Sequence, residues 1–318
     1  MEFIRKPSTK NRSKEQLILE SRALSEGESL PLLMFPALSE TGIVKHGFTT
    51  RLGGVSEGIF STLNLGFARG DDPEAVRENF RRAAEALDVD LGQIVCSHQT
   101  HTTNVRIVTE ADAGKGVTKE REYRDVDGLV TDVPGLVLAA FFADCVPLYF
   151  VDPARRAIGL SHSGWKGTVA RMGAHTLEVM AEAYGTRPAD VICAIGPSIC
   201  RDCYEVSGDV AEKFAREFAG HESEILRARS GRDTEGSSAA EVSRPAHLSA
   251  EAIQQAGEEK KYLLDLWRAN EIVLTEAGVA PEHLSVTDIC TCCNPDLLFS
   301  HRASHGKRGN LGAFLSLL

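Results

Sequence analysis

With 318 residues, 42% of them hydrophobic and 25% charged, the chain has the composition of a soluble globular protein with a large core. Its 35 basic and 45 acidic side chains give a formal net charge of −10, which argues against a nucleic-acid partner but not against a small anion in a local basic pocket. The longest apolar runs, such as GLVLAAFF at 135–142, fall well short of the roughly 20 residues of a bilayer span. The opening MEFIRKPSTKNRSKEQ has no apolar signal core, so a cytoplasmic protein without a membrane partner is expected.

Residues 1–30 are polar and weakly periodic and read as a loose lead-in, with a single domain over 31–318. Asp72 as N-cap and Pro73 at the first helical position open a helix through EAVRENFRRAAEAL. QIVCSH and TNVRIVT read as two short strands around a turn; GLVLAAFFADC, VPLYFVD and AIGLSHSG are apolar strands. WKGTVARMGAHTLEVMAEAYG reads as one helix closed by Gly185, and DVICAIGP as a further strand. In GDVAEKFAREF, Val210, Phe214 and Phe218 recur every four residues, the mark of an amphipathic helix. The charged, aromatic-poor stretch near 220–260 reads as an insertion or loop. YLLDLWRANEIVLTEAG is the next helix, with Gly278 ending it, and LSVTDIC and LLFSHRAS are the last strands. Strands interleaved with helices, without a helix at every connection, predict an α+β fold: one layered α/β/α domain around a mixed β-sheet.

Three metal-type ligands fall at strand ends beside small residues: His101 in SHQTHTTNV, Cys145 in FFADCVPLYF and His162 in LSHSGWKGT. Two imidazoles and a thiolate leave a fourth zinc position open, the arrangement of a catalytic site. Separations of 44 and 17 positions make this a weak signal by themselves; a capping His101, a buried Cys145 with no role and a backbone-satisfied His162 are the readings that spacing alone favours. The pair His98 and His101 would share a helical face, but the Thr-rich, β-branched surroundings favour an extended segment, which points them to opposite sides. In SGWKGT, Gly164, Lys166 and Gly167 mark either an anion-accepting helix entry or a tight turn with a solvated lysine. The Gly-rich TTRLGGVSEGIFSTLNLG offers Arg51 and Asn64 as polar candidates, and SHRASHGKRGN carries Arg302, His305, Lys307 and Arg308 as a local basic patch.

Eight cysteines in a chain of this length do not make a disulfide-stapled miniature. Cys200 and Cys203 form a C-x-x-C, while Cys290, Cys292 and Cys293 cluster as CTCC. Read as C-x-C-C, the second cluster is a poor zinc knuckle, which favours buried thiols; a disulfide or a structural zinc between the clusters stays open.

TTRLGGVSEGIFSTLNLG, SHQTHTTNV, ADCVPLYF, HSGWKGT, IGPSICRDCYEV and DICTCCNPDLLFSHR occur in the order found in the YfiH family, which this chain resembles from about residue 40 to its C-terminus. That family, formerly called multicopper polyphenol oxidase or laccase domain, is now described as purine nucleoside phosphorylase. The resemblance implies one zinc per chain on His101, Cys145 and His162, with copper as the alternative metal. It implies phosphorolysis of adenosine, inosine, guanosine and methylthioadenosine, and deamination of adenosine, with purine nucleosides and phosphate as partners in a monomer or homodimer. Asp144 and Glu205 are then the acids to test as proton carriers, and Arg51, Asn64, Lys166 and Arg302 the candidates for phosphate or substrate. The family's SYRRDG…TGR tail reads here as SHRASHGKRGN, with Ala303 in place of the second Arg. Two other chemistries use the same residues: a metal-independent cysteine hydrolase with Cys145 as nucleophile and His162 or His101 as base, and a copper polyphenol oxidase, for which the chain lacks paired H-x-H motifs. A non-catalytic protein holding a structural zinc is the remaining reading.

Overall fold

The structure, a computed structural model, describes residues 2–6, 17–25, 27–229, 248–257 and 259–318. Most of the lead-in and the middle of the expected insertion, 230–247, lie outside the described residues. In chain order the strands are β1 (Ile18–Ala23), β2 (Ser29–Met34), β3 (Val44–Thr49), β4 (Ile94–Cys96) and β5 (Val105–Ile107). They continue with β6 (Gly128–Thr131), β7 (Val137–Phe142), β8 (Val146–Asp152), β9 (Ala157–Ser163) and β10 (Ile192–Ile195). The last five are β11 (Glu205–Ser207), β12 (Leu226–Ala228), β13 (Lys261–Leu264), β14 (Leu284–Val286) and β15 (Leu311–Leu317).

They build two six-stranded sheets, ordered β1-β2-β3-β15-β7-β4 and β14-β10-β8-β9-β6-β5, and a three-stranded sheet β11-β13-β12. Both large sheets are mixed: β4–β7, β10–β14 and β5–β6 pair in parallel and the remaining neighbours antiparallel. The α+β class with mixed sheets holds, and the layer between the helices is two sheets deep. The reason lies in the period-2 alternation of the strands. Leu138, Ala140 and Phe142 of β7 and Leu311, Ala313 and Leu315 of β15 meet Tyr149, Val151, Ile158 and Leu160 of the other sheet in one inter-sheet core. The alternate residues Val137, Ala139 and Phe314 face outward beneath the helix Pro73–Leu87, through Val76, Phe80 and Leu87. Leu148 and Phe150 likewise face the helices Met172–Tyr184 and Leu266–Glu276 on the far side.

Several expected boundaries move. Ile18–Ala23, inside the expected lead-in, is an edge strand on β2. The single helix over 165–185 is two, Trp165–Val169 and Met172–Tyr184, because Arg171 takes a left-handed conformation (φ 59°) between them. The helix expected from Tyr262 begins at Leu266: Asp265 caps it by accepting from the Arg268 amide, and Lys261–Leu264 is strand β13. LLFSHRAS is a run of turns, and the final strand is Leu311–Leu317. The two strands around a turn, β4 and β5, belong to different sheets.

That last point positions the site. The chain crosses from the first sheet to the second twice, through 97–104 between β4 and β5 and through 143–145 between β7 and β8. Each crossing carries one of the candidate ligands, His101 or Cys145. His162 enters at the adjoining end of β9, where Pro147↔His162 and Val146↔Ser163 are paired.

At the other side of the inter-sheet core, His46 is buried and its Nε2 accepts from the Phe35 amide at 2.9 Å. Burial is the main cause that lowers its pKa to about 4. Its unfolded-state pKa is near 6.5, so between pH 6.5 and 4 the unfolded chain holds a proton the native chain excludes. Stability should therefore be full above pH 6.5 and fall by up to about 3 kcal/mol as the pH drops toward 4. Urea unfolding of the wild type and of His46→Gln at pH 7.5 and pH 4.5 checks this: the variant should lose less stability on acidification, and an identical loss would refute it.

Candidate metal centre and active-site cleft

The donor atoms of His101, Cys145 and His162 lie within 4.8 Å of one another, with Cys145 Sγ 3.9 Å from His101 Nε2. The two imidazole rings are 4.9 Å apart at their centroids and nearly perpendicular, at 77°. His162 is buried, Cys145 half-buried and His101 exposed at the mouth.

A residue absent from the sequence reading organises this group. Asp127, fully buried just before β6, accepts at Oδ1 from the His101 amide (3.1 Å) and at Oδ2 from the Thr100 amide (3.0 Å), the Thr102 amide (2.9 Å) and the Thr102 hydroxyl (3.0 Å). Its Oδ1 also lies 2.8 Å from His162 Nδ1, and its carbonyl accepts from the His162 amide. One carboxylate thus shapes the turn that presents His101 and orients the ring of His162, leaving His162 Nε2 to face the other donors. This carboxylate–imidazole pairing is the usual support of a metal-bound histidine. The only trace of Asp127 in the sequence is an acidic residue directly ahead of an apolar strand, in RDVDGLV.

The turn around His101 is not extended, so strand alternation is not what separates it from His98. His101 has φ 66°, His98 forms an isolated bridge to Val126, and His98 Nδ1 accepts from the Asp125 amide at 3.1 Å. Gln99 docks the turn on β7 by donating to the Phe141 carbonyl (2.7 Å) and accepting from the Phe141 amide (2.8 Å). Gly164 is required for space: a Cβ there would stand 3.0 Å from both Cys145 Sγ and His101 Cδ2.

The electrostatics agree with the geometry. Burial disfavours ionisation of Asp127, but the hydrogen bonds from His162 and the Thr102 amide outweigh it and hold its pKa at about 2. Burial likewise opposes a Cys145 thiolate, yet the charge of His162 and the hydrogen bond with His101 bring its pKa down to about 6. For His162, burial lowers the pKa while the Cys145 thiolate and Asp127 raise it, to about 9. Near neutral pH the group is a thiolate and a carboxylate bridged by one imidazolium. A divalent cation held by Cys145 and His162 would supply the positive charge in place of this proton. Two neutral imidazoles and a thiolate suit zinc with one position open.

The trio forms part of the wall of a cleft of about 980 Å³. Arg69, Arg77, Lys119, Arg121 and Arg308 line the same cleft, against Glu120 as the one acid among its lining residues. A smaller cavity of about 270 Å³ reaches His101 and Cys145 from the other side, lined also by Asp144, Trp165, Lys166 and Tyr204.

The remaining sequence candidates sit elsewhere or are engaged. Asp144 (φ 89°) accepts from the Thr291 hydroxyl at Oδ1 (2.6 Å) and from the Arg302 amide at Oδ2 (2.7 Å), which ties the β7–β8 crossing to the C-terminal segment. Glu205 is ion-paired with Arg229. Arg302 donates to the carbonyls of Cys203 and Glu205 and covers the ring of Tyr204. Arg51 donates to the Ser61 and Pro295 carbonyls, 2.8 Å each, and stacks on Phe299. Buried Asn64 accepts from the amides of Gly66 (3.0 Å) and Asn310 (2.8 Å), so it braces two residues that line the large cleft without lining it itself. Lys166 lies beside Trp165 on the smaller cavity.

Residues 45–318 match the family described as multi-copper polyphenol oxidoreductase laccase. The chain belongs to that family. Purine nucleoside phosphorylase YlmD of Bacillus subtilis (strain 168) is 34% identical over 275 residues, 85% of this chain and 87% of its own. Its namesake from Geobacillus stearothermophilus is 36% identical over 270 residues, covering 85% and 88%. The crystal structure of YlmD from Geobacillus stearothermophilus superposes with a TM-score of 0.78 at 34% identity, over 96% of this chain and 99% of that one. The family is the one that the six ordered motifs resemble. Among the described residues, the groups of three or more metal-type donors are the His–Cys–His trio and a set of four cysteines, and neither is the histidine-rich trinuclear set of a multicopper oxidase.

Replacing Asp127 by Ala should weaken metal binding at this group about 10- to 100-fold by freeing both histidines, and Gly164→Ala should weaken it by pressing a methyl against Cys145 and His101. Competition with a chromophoric chelator checks both; unchanged affinity in Asp127→Ala would contradict the assignment of its role.

Proposed function

We propose that the chain is a zinc-dependent purine nucleoside phosphorylase whose reaction takes place in the large cleft at His101, Cys145 and His162. The observation that carries this reading is a three-donor metal group in the wall of a cation-lined cleft, in a chain whose relatives are named purine nucleoside phosphorylase. Zinc held there supplies Lewis acidity, which acidifies water and polarises a substrate oxygen or nitrogen.

The chain's own residues do the rest. Asp127 keeps the Nδ1 proton on His162 and so fixes which nitrogen faces the cleft. Leu65, Phe67, Leu91, Val117 and Phe141 give the cleft an apolar side for a purine base, and its volume suits a nucleoside with phosphate. Arg69 and Arg308 repel one another, and neither pairs with a carboxylate among the described residues; their hydrogen bonds run to Gly306, Gly309 and Asn310. Burial, with Arg69 next, lowers the Arg308 pKa to about 10, so it stays charged at neutral pH. Arg308 Nε is buried and has no hydrogen-bond partner. A phosphate dianion between the two guanidinium groups would relieve the repulsion. These two arginines replace Arg51, Asn64, Lys166 and Arg302 as the phosphate candidates.

Adenosine, inosine, guanosine and methylthioadenosine are the substrates proposed. Deamination of adenosine is the second activity proposed: a metal held by these three protein donors alone would leave a position for water. With Asp144 and Glu205 both engaged, its proton carrier is sought among groups lining the cleft, His98 first.

Chromatography of adenosine incubated with phosphate tests the proposal: adenine and ribose 1-phosphate should form with the zinc-loaded enzyme and not with Cys145→Ala. Activity that survives zinc removal but is abolished by thiol alkylation would overturn it in favour of a cysteine hydrolase. Arg308→Ala should raise KM for phosphate roughly tenfold to a hundredfold, the value of one or two charge-assisted hydrogen bonds, with a smaller effect on nucleoside KM.

A further inference from the structure

Apart from the active-site trio, the structure gathers four cysteines from two distant parts of the chain. Cys200, Cys203, Cys290 and Cys293 have sulfurs within 4.8 Å of one another, and Cys203 Sγ lies 3.5 Å from Cys293 Sγ. Cys200 and Cys290 are buried, and Cys203 and Cys293 half-buried. Although CTCC has the spacing C-x-C-C along the chain, in space the partners are Cys290 and Cys293, which makes the second cluster a C-x-x-C like the first. We propose that these four cysteines hold a structural zinc ion, separate from the catalytic one.

The geometry supports a single tetrahedral ion. Zinc–sulfur bonds of about 2.3 Å set sulfur–sulfur edges of about 3.8 Å, which four sulfurs all within 4.8 Å of one another, one pair at 3.5 Å, can meet with small shifts, whereas a cluster of four irons spreads its cysteine sulfurs more widely. Backbone hydrogen bonds shape the first cysteine pair and tie the two segments together. The Cys203 amide donates to the Cys200 carbonyl, and the Thr291 amide donates to the Ser198 carbonyl, 3.1 Å each. Ser198 and Cys290 also form a parallel bridge, which holds the two knuckles side by side. The Cys200 amide donates to Cys290 Sγ at 3.2 Å, an N–H···S contact of the kind that stabilises a bound thiolate, between residues 90 positions apart. Binding releases the four S–H protons as four Zn–S bonds form, leaving two net negative charges. Lys6, brought over the cluster by the bond from its amide to the Asp288 carbonyl, lies in electrostatic range of Cys200, Cys203 and Cys293.

The four cysteines have a place to act from. Cys200–Cys203 follows β10 and Cys290–Cys293 follows β14, so the ion would clamp two parallel neighbours beyond their ends. Next to these cysteines, the Ile199 amide donates to the Asp144 carbonyl and the Thr291 hydroxyl to the Asp144 carboxylate. The clamp therefore holds the crossing that presents Cys145.

Metal analysis of the chain purified without added metal, with native mass spectrometry, tests the proposal. The wild type should carry two zinc ions, Cys203→Ser/Cys293→Ser one, and Cys145→Ala one, the two losses being independent. If the double variant fails to fold, the wild type decides: native mass should show two zincs, and four thiols should become reactive in step with release of one of them by a chelator. A wild-type count of one zinc that Cys145→Ala abolishes would overturn this proposal and leave the catalytic one standing. A mass deficit showing disulfides, or iron in place of zinc, would also overturn it.

Discussion

The buried carboxylate of Asp127 is the constraint on which the site depends. Burying an ionised group is costly unless every oxygen is bonded, and here both oxygens are saturated by three backbone amides, a hydroxyl and an imidazole. Those bonds fix the left-handed turn at His101 and the ring of His162 together. Removing the carboxylate would release two ligands at once, because the same atom that accepts from the His101 amide faces His162 Nδ1.

The fold supplies Cys145, the third candidate ligand, by a different route. Two sheets pack face to face, and the short crossing between β7 and β8 places Cys145 at the end of that packing. Asp144, beside it, is held by Thr291 and the Arg302 amide, so the crossing is anchored to the C-terminal segment. Asp127 and Asp144 thus divide the labour: one orients the imidazoles, the other fixes the loop of the thiolate. Gly164 leaves room beside Cys145 Sγ and the His101 ring.

Much of this was legible in the sequence. The Asp72–Pro73 helix start, the apolar strands and Gly185 all carry local signals with a mechanism, and they match the structure. Histidine and cysteine at strand ends marked His101, Cys145 and His162, and the ordered motifs singled out that set. What failed to show depends on non-local contacts. Leu311–Leu317 is buried on both faces and has no alternation to read. Lys261–Leu264 continues the leucine stripe of the following helix, and only the Asp265 cap separates them. Asp127 looks like one more loop acid until its five partners are assembled. Arg51 and Arg302 looked like anion ligands because a sequence cannot show that carbonyls and aromatic rings already occupy them.

The claim that joins these observations is a zinc ion bound by His101, Cys145 and His162. Diffraction from crystals of the protein purified without added metal, collected on either side of the zinc absorption edge, tests it most directly. The account predicts an anomalous peak about 2.0–2.1 Å from a nitrogen of each histidine and about 2.3 Å from Cys145 Sγ. No anomalous peak there, or one of equal strength on both sides of the zinc edge, as a lighter metal such as copper gives, would contradict it.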